Sequence, residues 1–343
     1  MTPNALLAND VPLIDLRAPG EFARGAFPGS VNLPLLTDAE RHEVGLAHKR
    51  GGAGAAIAKG HELVCGAVRA ERTRAWAEFA GSRSGCWLYC WRGGLRSRTA
   101  QSWLREEGVT VPRVAGGYKA LRRACLDALE EAVGDAKRWL VLAGRTGSGK
   151  TRVIGRLANA VDLEGLACHR GSAFGARPVG QPTPVAFENA LAAAYLKHDA
   201  STLVLEDESR TIGRLALPAA WHERMGAAPL VLLEATTEER VGNIRSEYVE
   251  EPLAGGVPPD DLHARLAGSL DRIRKRLGGD RHARVGAALD EAFRTGSHEA
   301  WIRLLLDWYY DPMYDYQLAA KRRRVVFQGG MAAVTDYLSA PTL

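Results

Sequence analysis

The stretch RWLVLAGRTGSGKTRVIGRLA, residues 138–158, determines how the second half of this chain folds. It contains the complete pattern G-x-x-x-x-G-K-[ST], with an apolar run before it and a helical pattern after it, and this context makes the motif specific. Glycines let such a loop wrap around a phosphate, and the helix N-terminus adds partial positive charge. The predicted diphosphate-binding residues are Gly144, Arg145, Thr146, Gly147, Ser148, Gly149, Lys150 and Thr151.

The roles within this loop follow from its chemistry. Lys150 should reach the outer phosphate, and Thr151 should hold Mg²⁺ together with Asp207, which follows an apolar run. In an alternative interpretation, Glu206 and Asp207 only end a strand in solvent. The chain has no N-K-x-D guanine signature, so a GTPase is disfavoured. ATP or GTP is the default ligand of such a loop, but the loop recognises a diphosphate, and that diphosphate need not belong to a nucleotide.

Short apolar runs alternate with helical patterns in both halves, which predicts an α/β protein with parallel sheets. The predicted strands lie within VPLIDLR (11–17), GSVNLP (29–34), CWLYC (86–90), the start of VPRVAGGYKALRR (111–123), RWLVLAG (138–144), STLVLEDES (201–209) and APLVLLEA (228–235). The pattern restarts after Gly134. We therefore expect two domains, residues 1–130 and 135–343.

Composition limits the classes of protein that this chain can belong to. The 343 residues carry a formal net charge of +5, which permits a polyanionic partner without requiring one. The five cysteines are odd in number and form no C-x-x-C pair, which argues against a disulfide framework and a zinc site. No signal-peptide pattern and no run of 18 apolar residues is present. We expect a reduced, cytoplasmic protein in which Cys65, Cys86, Cys125 and Cys168 are small buried hydrophobes.

One cysteine lies in a different context, in the stretch LYCWRGGLRS (88–97). Cys90 follows a predicted strand and precedes a helix, so loop amides and two arginines would stabilise its thiolate. Such a loop suits chalcogen transfer through a persulfide or perselenide. It also fits the phosphatase pattern C-x5-R, although Tyr89 replaces the usual histidine, and an inert cysteine is a third interpretation. The predicted anion loop consists of Arg92, Gly93, Gly94, Arg96 and Ser97.

A second glycine-rich stretch, DLEGLACHRGSAFG (162–175), carries several polar side chains. It is a candidate substrate loop, and an ordinary surface loop is an equally good interpretation. The candidate residues are Asp162, Glu164, His169, Arg170, Gly171 and Ser172.

Several of these stretches resemble those of a known family. IDLRAPGEFARGAFPGSVNLP (14–34) resembles the opening of a rhodanese domain. The stretches YCWRGGLRS, VAGGYKALR, AGRTGSGKT, DLEGLACHRGSAFG, FENA, EDESRTIG and YYDPMYDYQ then follow in the order seen in bacterial tRNA 2-selenouridine synthases. The similarity covers nearly the whole chain, and few families fuse these two kinds of domain.

The resemblance implies a rhodanese-like parallel-sheet domain followed by a P-loop NTPase-like α/β domain with helical tRNA-binding elements. It implies a substrate tRNA, for Lys, Glu or Gln, with 2-thiouridine at position 34. Geranyl diphosphate would alkylate the sulfur, and selenium from selenophosphate would then replace it. Cys90 matches the catalytic cysteine of the family, and the phosphate loop would hold geranyl diphosphate.

The same resemblance suggests where tRNA binds, and we expect a monomer. Basic runs could contact phosphates and aromatic side chains could stack on bases; the alternatives are a solvated helix face and an aromatic core. The candidate tRNA contacts are Arg272, Arg274, Lys275, Arg276, Tyr309, Tyr310, Lys321, Arg322, Arg323 and Arg324. Two other functions remain open from the sequence: an ATP-dependent tRNA sulfurtransferase, and a non-catalytic RNA-binding module with a regulatory cysteine.

Overall fold

The structure, a computed structural model, describes residues 1–198 and 200–340, which form two compact units. The first unit comprises Met1–Gly134 with Pro182–Asp199, and the second comprises Asp135–Gln181 with Ala200–Leu343. The α/β class with parallel sheets is confirmed in both units. No helix among the described residues is long and apolar enough to cross a membrane.

The first unit is built on a three-stranded parallel sheet in the order β2-β1-β3. Its strands are β1 (Leu13–Asp15), β2 (Ser30–Asn32) and β3 (Trp87–Tyr89). The surrounding helices are α1 (Pro3–Ala8), α2 (Pro19–Ala23), α3 (Asp38–Leu63), α4 (Gly66–Ser82), α5 (Leu95–Glu106) and α6 (Gly117–Gly134). Gly52, with φ +72°, interrupts α3 and redirects its second half. Apolar side chains from β1, β3, α4 and α5 form the core.

The strand predicted at residues 111–114 is reduced to one bridge, between Leu88 and Arg113. The Leu88 N–H donates to the Pro112 carbonyl, and the Val114 N–H donates to the Leu88 carbonyl. Pro112 has no N–H to continue a ladder, and this explains why the pairing stops there.

The prediction that residues 135–343 form one continuous domain is wrong. Helix α9 (Pro184–Leu196) belongs to the first unit and packs on α6. Its Asn189 is completely buried, donates to the Ala26 carbonyl at 3.0 Å and accepts from Arg122 at 2.8 Å. The apolar face of α9 packs against α6, which is distant in the chain, so the local sequence could not predict this contact.

The second unit contains a five-stranded parallel sheet in the order β10-β9-β4-β6-β5. These strands are β4 (Arg138–Gly144), β5 (Ala160–Val161), β6 (Thr202–Glu206), β9 (Leu230–Leu233) and β10 (Val325–Gly329), and β7 (Thr211–Ile212) pairs with β8 (Leu215–Ala216) in a small hairpin. The central strand β4 leads into the phosphate loop, so the loop lies at the carboxyl edge of the sheet, where ligands of such folds bind.

Helices cover this sheet and form a second core beside it. They are α7 (Lys150–Ile154), α8 (Leu163–Leu166), α10 (Ala219–Ala227), α11 (Thr237–Arg245), α12 (Glu251–Ala254), α13 (Pro259–Leu277), α14 (Gly279–Thr295), α15 (Glu299–Leu305), α16 (Asp311–Lys321) and α17 (Met331–Ser339). Two π-helical segments, Ser246–Glu250 and Leu306–Tyr310, continue α11 and α15. Leucines of α13, α14 and α15 pack together in this helical core.

Candidate functional site

The phosphate loop has the backbone conformation that its sequence predicts. Gly147 and Gly149 adopt φ +81° and +89°, in the region that favours glycine. A Cβ atom on Gly147 would lie 2.8 Å from the Arg240 carbonyl oxygen, so the packing also requires glycine there. The Lys150 ammonium folds back over the loop and donates to the Gly144 carbonyl at 2.9 Å.

Two side chains of α11 hold this loop from behind, and the sequence analysis missed both. Arg240, 2% exposed, donates to the Thr146 carbonyl at 2.9 Å and pairs with Asp311. Asn243 donates to the Gly147 carbonyl at 2.8 Å. These contacts satisfy loop carbonyls and fix the conformation of the loop. A buried arginine at the fourth position of a helix carries no motif from which its role could be predicted.

Two predicted loop residues have other partners. Arg145 donates to Asp315 at 2.6 Å, on α16, and does not line the ligand cavity. Ser148 is buried, and its hydroxyl has no hydrogen-bond partner among the described residues. The loop therefore presents its backbone, Lys150 and Thr151 to a ligand.

A cavity of about 450 Å³ opens in front of the loop. Its wall includes Lys150 and Thr151, the carboxylates of Glu164, Asp207, Glu208 and Glu247, and the rings of Tyr248, Tyr309 and Tyr310. The cavity thus combines one cationic anion-binding end with an acidic side and an aromatic side.

The candidate substrate loop borders this cavity with four of its six predicted residues, Glu164, Arg170, Gly171 and Ser172. A Cβ on Gly171 would lie 2.4 Å from a Glu208 carboxylate oxygen, so a side chain there would displace the Glu208 carboxylate. Arg170 pairs with Glu251 at 3.3 Å and lies over the Tyr248 ring.

The other two predicted residues are structural. Asp162 caps α8 by accepting from the Gly165 N–H at 2.7 Å. His169 forms a bridge to Ala176. Burial, and then the charges of Arg177 and Arg272, lower the pKa of His169 and keep its ring neutral.

Three glutamates form an acidic cluster beside Thr151. The Thr151 hydroxyl donates to Glu164 at 3.3 Å, and the Glu164 N–H donates to Glu206 at 3.1 Å. Burial, followed by the charge of Glu164, raises the pKa of Glu208 to about 8. Burial likewise raises the pKa of Glu164 and of Glu206 above the usual range. The cluster therefore favours a bound proton or cation.

The predicted metal pair of Thr151 and Asp207 is not assembled. Lys321 donates to both Asp207 oxygens, at 2.7 and 2.9 Å, and the Thr151 hydroxyl contacts Glu164 instead. No group of three or more histidine, cysteine or acidic side chains within the described ranges is arranged to hold a metal. Magnesium beside a diphosphate needs only one or two carboxylates besides phosphate oxygens and waters, and Thr151 with Glu164 fits that need.

The predicted tRNA contacts fall into two groups. Arg274, Lys275, Arg322 and Arg323 are exposed, and Arg276 is exposed and lines the cavity. Lys321 instead pairs with Asp207, Arg324 donates to the Ala228 and Met225 carbonyls, and Arg272 donates to the Ala173 carbonyl. Tyr309 and Tyr310 are 9% and 7% exposed within the helical core, which favours the alternative of an aromatic core, and both rings also line the cavity. Apolar side chains surround these two rings in the helical core, and burying an aromatic ring stabilises the fold more than leaving it in water.

The first unit contains the cysteine loop. Cys90, 3% exposed, lies between β3 and α5, and its carbonyl accepts from the Tyr118 N–H at 2.8 Å. Gly93 and Gly117 adopt φ +63° and +59° and lie in contact. A Cβ on Gly117 would lie 2.2 Å from the Cys90 carbonyl oxygen, which shows that the start of α6 closes against this loop.

The residues of the predicted anion loop differ in their surroundings. Arg96 donates to Glu21 at 2.7 Å, and Arg92 is exposed. Gly94 caps α5, and the buried Ser97 hydroxyl has no partner among the described residues. In the structure Arg96 is paired with the Glu21 carboxylate, whereas Arg92 and Arg96 were both predicted to stabilise the Cys90 thiolate.

A buried ion pair that the sequence analysis did not assign lies behind the cysteine loop. Arg17 donates to Asp15 at 2.7 Å and to the Gly25 carbonyl at 2.8 Å, and both side chains are at most 1% exposed. Its guanidinium lies 3.9 Å from the centre of the Tyr118 ring, next to the helix start that contacts Cys90. The spacing D-x-R was the available signal for this pair.

The remaining cysteines only partly follow the prediction of burial. Cys86 and Cys125 are buried, and burial raises the pKa of Cys125 to about 12, so this thiol stays protonated. Cys65 is exposed and Cys168 is half-buried with φ +49°, so the prediction is wrong for these two.

Comparison with known proteins identifies the family of the chain. Residues 137–342 match the family model of the tRNA 2-selenouridine synthase AAA domain. The chain is 48% identical to the tRNA 2-selenouridine synthase of Marinobacter nauticus and 49% identical to that of Bordetella bronchiseptica, with 98% of this chain and 96% of each relative covered. The synthase of Pseudomonas syringae pv. syringae is 49% identical over 97% of this chain and 96% of its own length. The resemblance noted in the sequence is therefore confirmed, and the chain belongs to the tRNA 2-selenouridine synthase family.

Proposed function

We propose that this protein replaces the sulfur of 2-thiouridine at position 34 of tRNA with selenium, in the tRNAs for Lys, Glu and Gln. The names of its relatives support tRNA as substrate and 2-selenouridine as product. The observation that carries the proposal is the presence of two distinct sites in one chain of this family. One is a phosphate loop with a 450 Å³ cavity, and the other is the loop of Cys90 between β3 and α5.

The phosphate loop supports the first step, which is alkylation of the thiocarbonyl sulfur. The sulfur attacks the first carbon of geranyl diphosphate, the carbon–oxygen bond breaks, and diphosphate leaves. The loop N–H groups and Lys150 stabilise the charge that develops on the leaving group. The S-geranyl group then makes carbon 2 of the base electrophilic and turns the sulfur into a leaving group.

The cysteine loop supports the second step, in which selenium from selenophosphate replaces the geranylated sulfur. Water cleaves the selenium–phosphorus bond and leaves as part of phosphate, and the released selenide attacks carbon 2 and displaces the sulfur as geranylthiol. Cys90 is the soft nucleophile that reacts with the selenium donor, selenophosphate. Gly93 and Gly94 allow backbone amides to approach the anionic donor closely.

Magnesium, when bound, supplies positive charge to the diphosphate oxygens. In this proposal the Thr151 hydroxyl and the Glu164 carboxylate would hold it, and Lys150 would contact the phosphate. The 3.3 Å contact of Thr151 with Glu164 supports this choice over Asp207, which is occupied by Lys321.

Nucleoside mass spectrometry tests the proposal. Purified protein is incubated with 2-thiouridine tRNA and geranyl diphosphate, with and without selenophosphate. We expect 2-selenouridine in the reaction with selenophosphate and S-geranyl-2-thiouridine in the reaction without it. An ATP-dependent sulfurtransferase or an RNA-binding module would leave 2-thiouridine unchanged in both reactions, and that result would disprove the proposal.

A further inference from the structure

We propose that a narrow apolar cleft beside the phosphate loop binds the hydrocarbon chain of the diphosphate substrate and sets the chain length that the enzyme accepts. This inference rests on the proposed function, which makes a prenyl diphosphate the ligand of the loop. It adds a binding site for the part of the ligand that the loop itself cannot recognise.

The cleft continues directly from the diphosphate cavity. Thr146 of the phosphate loop, Tyr248 and Tyr310 line both spaces. The rest of the cleft wall is apolar, made by Phe174, Ile244, Trp301, Ile302, Leu305 and Leu306. A diphosphate on the loop therefore has an apolar continuation within reach of its organic end.

The wall chemistry favours a hydrocarbon over a nucleoside. Among the described residues, no charged side chain lines it, and the Tyr248 hydroxyl is already paired with Ser172 at 3.2 Å. A base or ribose placed there would lose hydrogen bonds to water without replacement, which costs free energy. A prenyl chain would lose none and would gain from the burial of apolar surface.

The backbone around the cleft is unusual in a way that points to function. Both π-helical segments of the described chain contribute wall residues: Tyr248 lies in the first, and Leu306 and Tyr310 lie in the second. Such segments are rare and occur frequently at functional sites. Their coincidence at one cleft is a second observation that is independent of the apolar lining.

In this structure the cleft is nearly closed, with a volume of about 20 Å³, enough for about one water. A ten-carbon chain needs more space. Phe174 is the apolar wall residue that lies outside the helices, and its ring packs on Trp301 with 6.5 Å between ring centres. Displacement of the Phe174 ring is therefore the movement that opens the cleft, and Ile302 and Leu305 form its helical floor.

Calorimetric titration of the full chain with three probes tests this inference: inorganic diphosphate, geranyl diphosphate and farnesyl diphosphate. The wild type should bind geranyl diphosphate at least tenfold more tightly than inorganic diphosphate. Leu305→Ala should raise the ratio of farnesyl to geranyl affinity at least fivefold, because it lengthens the cleft, and should leave inorganic diphosphate binding within twofold. Leu289→Ala, in the same helical core but outside the cleft wall, is the matched control and should leave the ratio unchanged.

If Leu305→Ala does not fold, as judged by circular dichroism, Ile302→Val provides a milder enlargement, with the same direction of change expected. Equal affinity of the wild type for inorganic and geranyl diphosphate would overturn the inference and leave diphosphate binding at the loop intact. Equal ratio changes in Leu305→Ala and Leu289→Ala would also overturn it. Failure of both diphosphates to bind would overturn the proposed function together with the inference.

Discussion

At the scale of single residues, Cys90 and Lys150 belong to different units, so their roles should separate experimentally. Cys90→Ser keeps the size of the side chain but replaces a soft, acidic nucleophile by a hard, weakly acidic one. The variant should still form S-geranyl-2-thiouridine and should stop there when selenophosphate is present. Nucleoside analysis of the product tRNA measures both compounds. Abundant 2-selenouridine from this variant would contradict the role of Cys90.

Lys150→Ala removes the one ammonium that lines the loop end of the cavity. A charge-assisted hydrogen bond is worth about 1.5–3 kcal/mol, so the affinity for geranyl diphosphate should fall about tenfold to a hundredfold. Calorimetry checks the change. Arg156→Ala, just beyond the same helix, is the control, because Arg156 is exposed and does not line the cavity. Equal losses in both variants would show a general charge effect.

At the scale of secondary-structure elements, the close approach of α6 to the cysteine loop depends on Gly117. Alanine there would occupy the left-handed region and overlap the Cys90 carbonyl. We expect Gly117→Ala to lower the free energy of unfolding by about 2 kcal/mol or more, and to reduce selenation more than geranylation. Urea unfolding and nucleoside analysis provide the two measurements.

Gly134→Ala is the matched control at the other end of α6, where an added Cβ meets nothing within 4 Å. This variant should be as stable as the wild type or slightly more stable, since alanine favours a helix. If the two variants behave alike, the contact between α6 and the cysteine loop does not constrain that loop.

At the scale of the whole molecule, tRNA binding should weaken steeply with salt. Each phosphate contact contributes a slope of about −0.7 to −0.9 in a plot of log affinity against log salt. Arg274→Gln with Lys275→Gln removes two exposed charges and should flatten the slope by about 1.5. Filter binding across salt concentrations measures it, with Arg294→Gln, an exposed residue of α14, as control. An unchanged slope would show that the basic residues at 272–276 form only a solvated helix face.

The stability of the protein without ligand or added metal should fall as pH rises from about 5 to 8. With its folded-state pKa raised to about 8, Glu208 holds a proton that the unfolded chain releases near pH 4.5. Between these values the folded state binds more protons, so its stability decreases with pH, by at most about 1.4 kcal/mol per pH unit for one proton. Glu208→Gln should flatten this dependence in urea unfolding at several pH values, and exposed Glu238→Gln should not.

Much of the fold was predictable where local chain chemistry dictates it. The phosphate loop follows from its glycines, its lysine and the apolar strand before it, and the structure places β3 and α5 on either side of Cys90 as expected. The edge strand β10 was not predicted, because its residues are only half-buried and follow a basic run. The return of α9 to the first unit was not predictable, because its partner α6 lies more than 50 residues earlier.

The sequence by itself determined the family, the parallel α/β class and the two loops, because backbone conformation and phosphate chemistry restrict which residues can occupy them. Only the tertiary structure decided which charges meet. It paired Lys321 with Asp207, Arg96 with Glu21 and Thr151 with Glu164. It also joined the apolar cleft to the phosphate loop, from helices far apart in the chain. A side chain selects its partner by distance and burial after folding, and neither quantity is present in local sequence.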